Sequence, residues 1–204
     1  MPSTLPRRRG RPPADDHRLL AVAERHFARR GFAGTDLGEV AKAAGLGKGS
    51  VYRRFASKQA LFLACVRHAL DGLLAAVDAV PAVEDPLHEA QAVVAVYLRY
   101  FATHPDTVTL MLMERTALPG RARQTYIDLF EQRADEWRDL AERLVAQGRR
   151  FRLPFAQAHR AAGDAIYGLM LGNWLRREWP DPDRQAAEFT ELLFDGLLLP
   201  EDAR

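Results

Sequence analysis

Lys48, Ser50, Tyr52, Arg53 and Arg54 lie within seven residues of one another and carry donors suited to phosphate oxygens and base edges. Arg53 is central in the cluster, and a guanidinium there matches guanine O6 and N7 bidentately. Lys48, Tyr52 and the later Lys58 suit positioning on a phosphate backbone. Other chemistries find less support. His17, His26, His68, His88, His104 and His159 include no pair at i and i+4, so a helical zinc site is not expected. One cysteine, Cys65, excludes an internal disulfide framework and a cysteine-cluster metal site, and its place on an apolar face reads as a packed thiol rather than a redox sensor. Glu188, Glu191 and Asp195 share a helical face that reads as solvated. Phosphate-binding glycine loops, serine elbows and catalytic cysteine settings are missing from the sequence. The expectation is a DNA-binding protein that is not an enzyme and holds neither cofactor nor metal.

The elements that must present the cluster are readable around it. Asp36 can accept from the first free amides of a helix, and Glu39 three residues on suggests a capping box. Leu37, Val40, Ala41 and Ala44 recur at helical spacing and define one buried face. Gly45 suits the left-handed residue that closes such a helix. A second helix follows almost at once, and two helices joined so tightly cross steeply. Leu46 and Val51 are expected to plug it into the same small core, with Phe55 as its end anchor. Upstream, Leu19, Leu20, Ala23 and Phe27 form the stripe of an amphipathic helix ended by Gly31, with Phe32 packing back. Downstream, Ser57 can cap a helix running through Leu61, Phe62, Cys65 and Ala69. Lys58 in its first turn opposes the helix dipole, which an external phosphate explains better than helix stability does.

With these elements in place, residues 18–62 resemble the DNA-binding domain of the tetracycline-repressor (TetR) family of bacterial regulators. The resemblance is carried by Ala23, Phe27, Gly31-Phe32, Thr35, Val40-Ala41, Ala44-Gly45-Leu46, Lys48-Gly49-Ser50, Val51-Tyr52, Phe55, Ser57-Lys58 and Leu61-Phe62. It adds Thr35 to the DNA-contact set. It implies an all-α fold of about nine helices, a helix-turn-helix domain followed by a larger dimerisation and effector domain, and no catalytic activity. Arg53 and Arg54 depart from the family, which often has an aromatic residue and a histidine before the final Phe. That departure bears on the operator sequence and leaves the fold intact.

Charge follows the same division. Residues 1–58 hold 13 Lys and Arg against 5 Asp and Glu, whereas residues 59–204 hold 16 against 22, so the small net charge of +2 conceals a basic amino-terminal quarter. Such a field steers a protein to DNA and replaces counterions there. Within it, residues 1–17 form a separate arm whose prolines bar a helix and which has little to bury, so disorder is expected. Arg9 and Arg11 in its Arg-Gly-Arg-Pro core suit either an AT-hook-like stay in the minor groove or a solvated tail touching phosphates. By this reading no stretch approaches the roughly eighteen uncharged apolar residues of a membrane span, and the basic start lacks a signal-peptide core, so the cytoplasm is expected.

From residue 63 to 204 the pattern is helical, with breaks that predict helices near 57–79, 86–103, 105–117, 121–147, 156–178 and 183–198. In the family this domain dimerises through its last two helices and encloses a small effector. Ala158, Ala161, Ala162, Ala165, Gly168 and Gly172 recur at helical spacing and permit close backbone approach, with Ile166 and Leu169 adding apolar area. Phe189, Leu192, Leu193, Gly196 and Leu197 do the same in the last helix. A symmetric four-helix contact built on Ala165, Gly168, Leu169, Gly172, Phe189, Leu193 and Leu197 is therefore expected, against the alternative of an intramolecular core. Candidates for the effector pocket are Tyr97, Phe101, Met111, Tyr126, Phe130, Trp137, Tyr167, Met170 and Trp174, residue types that more often build ordinary core. Glu114 and Arg115 follow an apolar run, so one reads as a buried polar group of the pocket or both as a surface pair. By resemblance, the protein is a homodimeric repressor of a palindromic double-stranded operator. An unknown effector would move the helix starting at Ser57, changing the separation of recognition helices that must enter successive major grooves about 34 Å apart. Alternatives are an activator or effector-independent regulator, and remotely a helical small-molecule-binding protein with a vestigial DNA domain.

Overall fold

The computed structural model describes residues 14–120 and 124–197, which form ten α-helices: α1 (Ala14–Gly34), α2 (Leu37–Ala43), α3 (Lys48–Arg54), α4 (Lys58–Asp78), α5 (Pro86–Thr103), α6 (Pro105–Ala117), α7 (Thr125–Gln132), α8 (Ala134–Ala146), α9 (Phe155–Arg176) and α10 (Pro182–Leu197). The fold is all-α, as expected. The chain divides into two compact units inside α4, after His68, six residues beyond the boundary expected at 62. Arg9 and Arg11 lie outside the described residues.

In the first unit, α2 and α3 have seven residues each, too short to persist alone in water. Burial holds them. Leu19, Ala23, Phe27, Val40, Val51, Leu61, Phe62 and Cys65 are fully enclosed, and the rings of Phe27, Phe32 and Phe62 pack with centroids 5.1–6.1 Å apart. Gly31 adopts φ 72°, ψ 170°, so α1 breaks where the sequence predicted its end, although three further residues make another turn. Cys65 Sγ lies 3.8 Å from the Leu20 carbonyl, and burial pushes the thiol well above its ordinary range, as suits a packing group. One contact network has no counterpart in the sequence reading: His68 Nδ1 sits 2.6 Å from Glu24 Oε1, and its Nε2 lies 3.0 Å from His17 Nδ1, tying α4 to α1.

Among the described helices, α4 alone is long and apolar enough by length and composition to cross a bilayer: its mean hydropathy reaches 1.7, although it holds no run of eighteen uncharged apolar residues. A helix that is buried by packing partners on several sides carries the same composition. Residues 58, 67, 68 and 71 still place charged or titratable groups along it.

In the second unit, α10 packs along α5, which also meets α6, α8 and α9. Leu98, Phe101, Leu110, Leu144 and Met170 are almost completely enclosed. The predicted single helix over 121–147 is two helices, α7 and α8, which brings the count among the described residues to ten where about nine were expected. No glycine or proline marks the joint at Arg133 (φ −98°, ψ 12°); its guanidinium instead pairs with Asp78 at 2.7 Å and with Glu136, a tertiary anchor that local patterning does not reveal. Glu114 is fully buried, and its carboxylate accepts from the Thr125 amide at 3.1 Å and the Thr125 hydroxyl at 2.8 Å. The carboxylate thus closes the amino terminus of α7, where a negative charge meets the helix dipole favourably. Asn173 and Gln185 exchange two amide hydrogen bonds, at 2.8 and 3.2 Å, that lock α9 to α10.

Gly163 on α9 is where Phe130 lies against the helix: a Cβ at 163 would meet ring carbons at 2.5 Å. Gly163→Ala should therefore destabilise the fold by about 1–3 kcal/mol despite the better helix propensity of alanine. Urea unfolding decides it: unchanged or increased stability would mean that the ring moves aside freely.

Candidate functional sites

The helix-turn-helix is assembled by local hydrogen bonds. Asp36 Oδ1 accepts from the amides of Gly38 (2.6 Å) and Glu39 (3.0 Å), capping α2. The predicted capping box is half formed, because the Glu39 carboxylate pairs with Arg30 instead of reaching back to residue 36. At the other end, Gly45 takes φ 72°, its amide donates to the Lys42 carbonyl at 3.1 Å, and the Leu46 amide donates to Ala41 at 2.8 Å. These two bonds form a Schellman motif, which turns the chain directly into α3. Val51 is fully buried, whereas Lys48, Tyr52, Arg53 and Arg54 are exposed and Ser50 half so.

The exposed residues differ in their commitments. Arg53 Nη2 donates to Ser50 Oγ at 2.9 Å, an exposed neighbour contact that orients the guanidinium along α3. Arg54 donates to Asp16 Oδ1 at 2.6 Å, anchoring α3 to α1. Lys58 Nζ donates to the Ala33 carbonyl at 2.9 Å and stands 5.1 Å from the Phe32 ring centroid. Its position against the dipole of α4 thus has an internal explanation in addition to the external phosphate expected. Thr35 is a correction: it is buried, and its hydroxyl donates to the Gly31 (2.8 Å) and His26 (3.2 Å) carbonyls, so that side chain serves the bend after Gly31. Sequence reasoning overlooked Arg25, Arg29 and Arg30, which line a depression of the first unit with His26; burial first, and then these three arginines, push the His26 imidazole below its ordinary value. The i, i+4 spacing of Arg25 and Arg29 was the available signal.

In the second unit, Phe130 and Trp137 line an apolar cavity with Leu144, Ile166 and Phe194, enclosing about 600 Å³ of space between atoms with its mouth included. The other pocket candidates do not line it. Phe101, Met111, Tyr126 and Met170 are buried as core, Glu114 caps α7, and Tyr167 packs its ring 5.4 Å from that of Tyr126. Tyr97 borders a neighbouring depression beside Arg133, where burial pushes its hydroxyl up to about 12; Trp174 is half-buried elsewhere on α9. Two histidine and aromatic positions that the sequence reading passed over, His159 and Phe155, border the cavity, and α9 stacks them 5.7 Å apart.

On the outside of α9 and α10, a Cβ added at Gly168 would meet nothing within 4 Å, while Ala165, Leu169, Gly172 and Phe189 are half-buried. Leu192 (76% exposed), already named on the last helix, and Leu175 (64%), which the sequence reading did not name, extend this apolar face. Leu193 departs from that set by lining the cavity. The side chain of Leu197 lies outside what is described.

Comparison with known proteins places these features. Residues 19–65 match the family model for bacterial regulatory proteins of the tetR family. The HTH-type transcriptional repressor KstR2 of Mycobacterium tuberculosis is 30% identical over 132 residues, 64% of this chain and 66% of that protein. The HTH-type transcriptional regulator EthR of Mycolicibacterium smegmatis is 32% identical over 107 residues, 50% of this chain and 48% of its own. The matched region thus spans less than two thirds of either relative. Among solved structures, the TetR family regulator PfmR from Thermus thermophilus superposes with a TM-score of 0.68 at 27% identity, covering 87% of this chain and 97% of that one. The family match falls on the residues whose caps, turn and core build the helix-turn-helix, and the likeness of fold continues through the larger unit: the chain belongs to the TetR family of bacterial regulatory proteins.

Proposed function

We propose that the protein is a homodimeric transcriptional repressor that binds a palindromic operator and is released from it by a small-molecule effector. The observation that carries this reading is α3 itself, a helix anchored by one fully buried side chain, Val51, and otherwise presenting Lys48, Tyr52, Arg53 and Arg54 outward. A seven-residue helix with that face matches a major groove in width and in donor chemistry. Repression is the role in the name of KstR2. An effector is supported by the apolar cavity of the second unit, and α4 contributes residues to both units. A dimer is supported by the unpartnered face at Gly168, Leu175 and Leu192. Sequencing genomic fragments retained by the purified protein tests the reading directly: recovery of a short two-fold symmetric sequence is expected, and retention of unrelated fragments would refute it.

Within this reading Arg53 reads a base edge, while Arg54, held by Asp16, positions α3. Arg53→Ala should cost about 1–3 kcal/mol on the recovered sequence and little on random DNA. Equal losses on both would assign Arg53 to phosphate.

Gly168→Leu introduces a bulky side chain where the isolated subunit leaves open space, so the fold of one subunit should tolerate it. Across a two-fold axis the insertion is met twice, and overpacking of about 1–3 kcal/mol at each copy should drive dimers to monomers. Sedimentation at low micromolar concentration reads this, and dimers that persist with normal DNA binding would place the interface elsewhere.

A further inference from the structure

The cavity of the second unit has an almost wholly apolar lining, with one exception. Nε2 of His159 is buried and has no hydrogen-bond partner among the described residues. The lining hydroxyl of Thr190 is already committed, donating to the carbonyls of Ala186 at 2.8 Å and Ala187 at 3.1 Å. A buried polar atom without a partner is costly, and natural structures keep such atoms where a ligand or water completes them. His159 is held in place for that role: its ring stacks on Phe130 with centroids 4.4 Å apart and planes 12° from parallel, and on Phe155 at 5.7 Å and 16°. Stacked on both rings, the imidazole has little freedom to turn Nε2 elsewhere. Burial is the largest influence on its pKa and lowers it, with Glu131 opposing and Arg138 adding to the shift, so the surroundings favour the neutral ring.

We propose that the effector of this protein is an uncharged, predominantly apolar molecule with a single hydroxyl or carbonyl group, which it seats on Nε2 of His159. The inference rests on the reading that this cavity holds the effector. The chemistry follows from the lining. Among the described residues that border the cavity, none carries a formal charge, so a carboxylate, phosphate or ammonium would enter without a counter-charge and lose its hydration uncompensated. A pure hydrocarbon would fill the space yet leave Nε2 unsatisfied. One neutral hydrogen-bonding group on an apolar body meets both conditions, since a neutral imidazole can donate or accept and a hydroxyl can do either in return. The space left for the centres of water-sized spheres is only about 60 Å³, so the cavity suits a slender chain and the side chains around it must give way to admit a longer one.

The test uses the purified full chain and three probes of matched length: 1-decanol, decanoate and decane. Trp137 borders the cavity, so tryptophan fluorescence follows binding. Decanol should bind about tenfold more tightly than decanoate near neutral pH, and His159→Phe, which keeps the stacked ring, should weaken decanol by about tenfold while leaving decane unchanged. On the wild-type protein, the Nε2 nitrogen resonance of His159 should shift with decanol and stay in place with decane, a readout that stands even if the variant fails to fold. Decanol binding that is the same in wild type and variant, or an Nε2 resonance unmoved by decanol, would overturn the role of His159 and leave the cavity as the effector site. Tighter binding of decanoate than of decanol would overturn the uncharged class. Failure of all three to bind would overturn the proposal together with the reading of the cavity on which it rests.

Discussion

Two helices of seven residues cannot hold their shape by backbone hydrogen bonds alone, and the DNA-facing surface of this protein depends on what holds them. Closing a first helical turn costs more conformational entropy than its bonds return. The deficit is met by burial: Val40 of α2 and Val51 of α3 are fully enclosed in a core shared with Phe27 and Phe62. Burying one such side chain contributes about 1.5–3 kcal/mol, more than the roughly 1 kcal/mol of a typical cap or the about 0–1 kcal/mol of an exposed ion pair. The Schellman bonds at Gly45 and the Asp36 cap then decide where the helices start and stop. Core burial makes the helices persist, and the caps aim them.

The same hierarchy orders the exposed cations. Arg54 and Lys58 have internal partners on α1 or the bend that follows it, whereas the hydrogen bond of Arg53 runs to Ser50, a neighbour on its own helix. A cation tied to another element positions that element, and one oriented along its own helix retains donors for a groove. The surface pairs themselves add little stability, since exposed ion pairs are worth roughly 0–1 kcal/mol. Their role is geometric.

The second unit solves a different problem, the satisfaction of polar groups inside a helical core. Glu114 meets the free amide and hydroxyl of Thr125, Asn173 meets Gln185, and Thr190 bonds back to its own helix. Each arrangement removes the penalty of about 1–3 kcal/mol for an unpaired buried group. His159 Nε2 lacks such a partner, as does Nε of Arg143 elsewhere in this unit, but of the two only His159 borders the apolar cavity. A polar group left unmatched beside an apolar space has the character of a binding contact.

Local chemistry was enough to determine the first unit from the sequence. Asp36, Gly45 and Gly31 act within one turn of themselves, and the spacing of Val40 and Val51 states which face is buried, so helices, turn and exposed cluster were all legible. Where a side chain's role depends on residues distant in the chain, the reading was incomplete. Thr35 belongs to the bend and not to an exposed surface, Glu39 turned to Arg30, and Lys58 found Ala33. In the second unit the helices were legible because prolines and glycines separate them, except at Arg133, where an ion pair with Asp78 accompanies a joint that no local breaker marks. The cavity was the least legible element. Aromatic and methionine residues at helical spacing look alike whether they fill a core or border a space, and only tertiary packing distinguishes Phe130 and Trp137, which line it, from Phe101 and Met170, which do not. The sequence determined which residues are apolar and which helices carry them; the packing of helices far apart in the chain decided where space was left between them, because voids belong to no single segment.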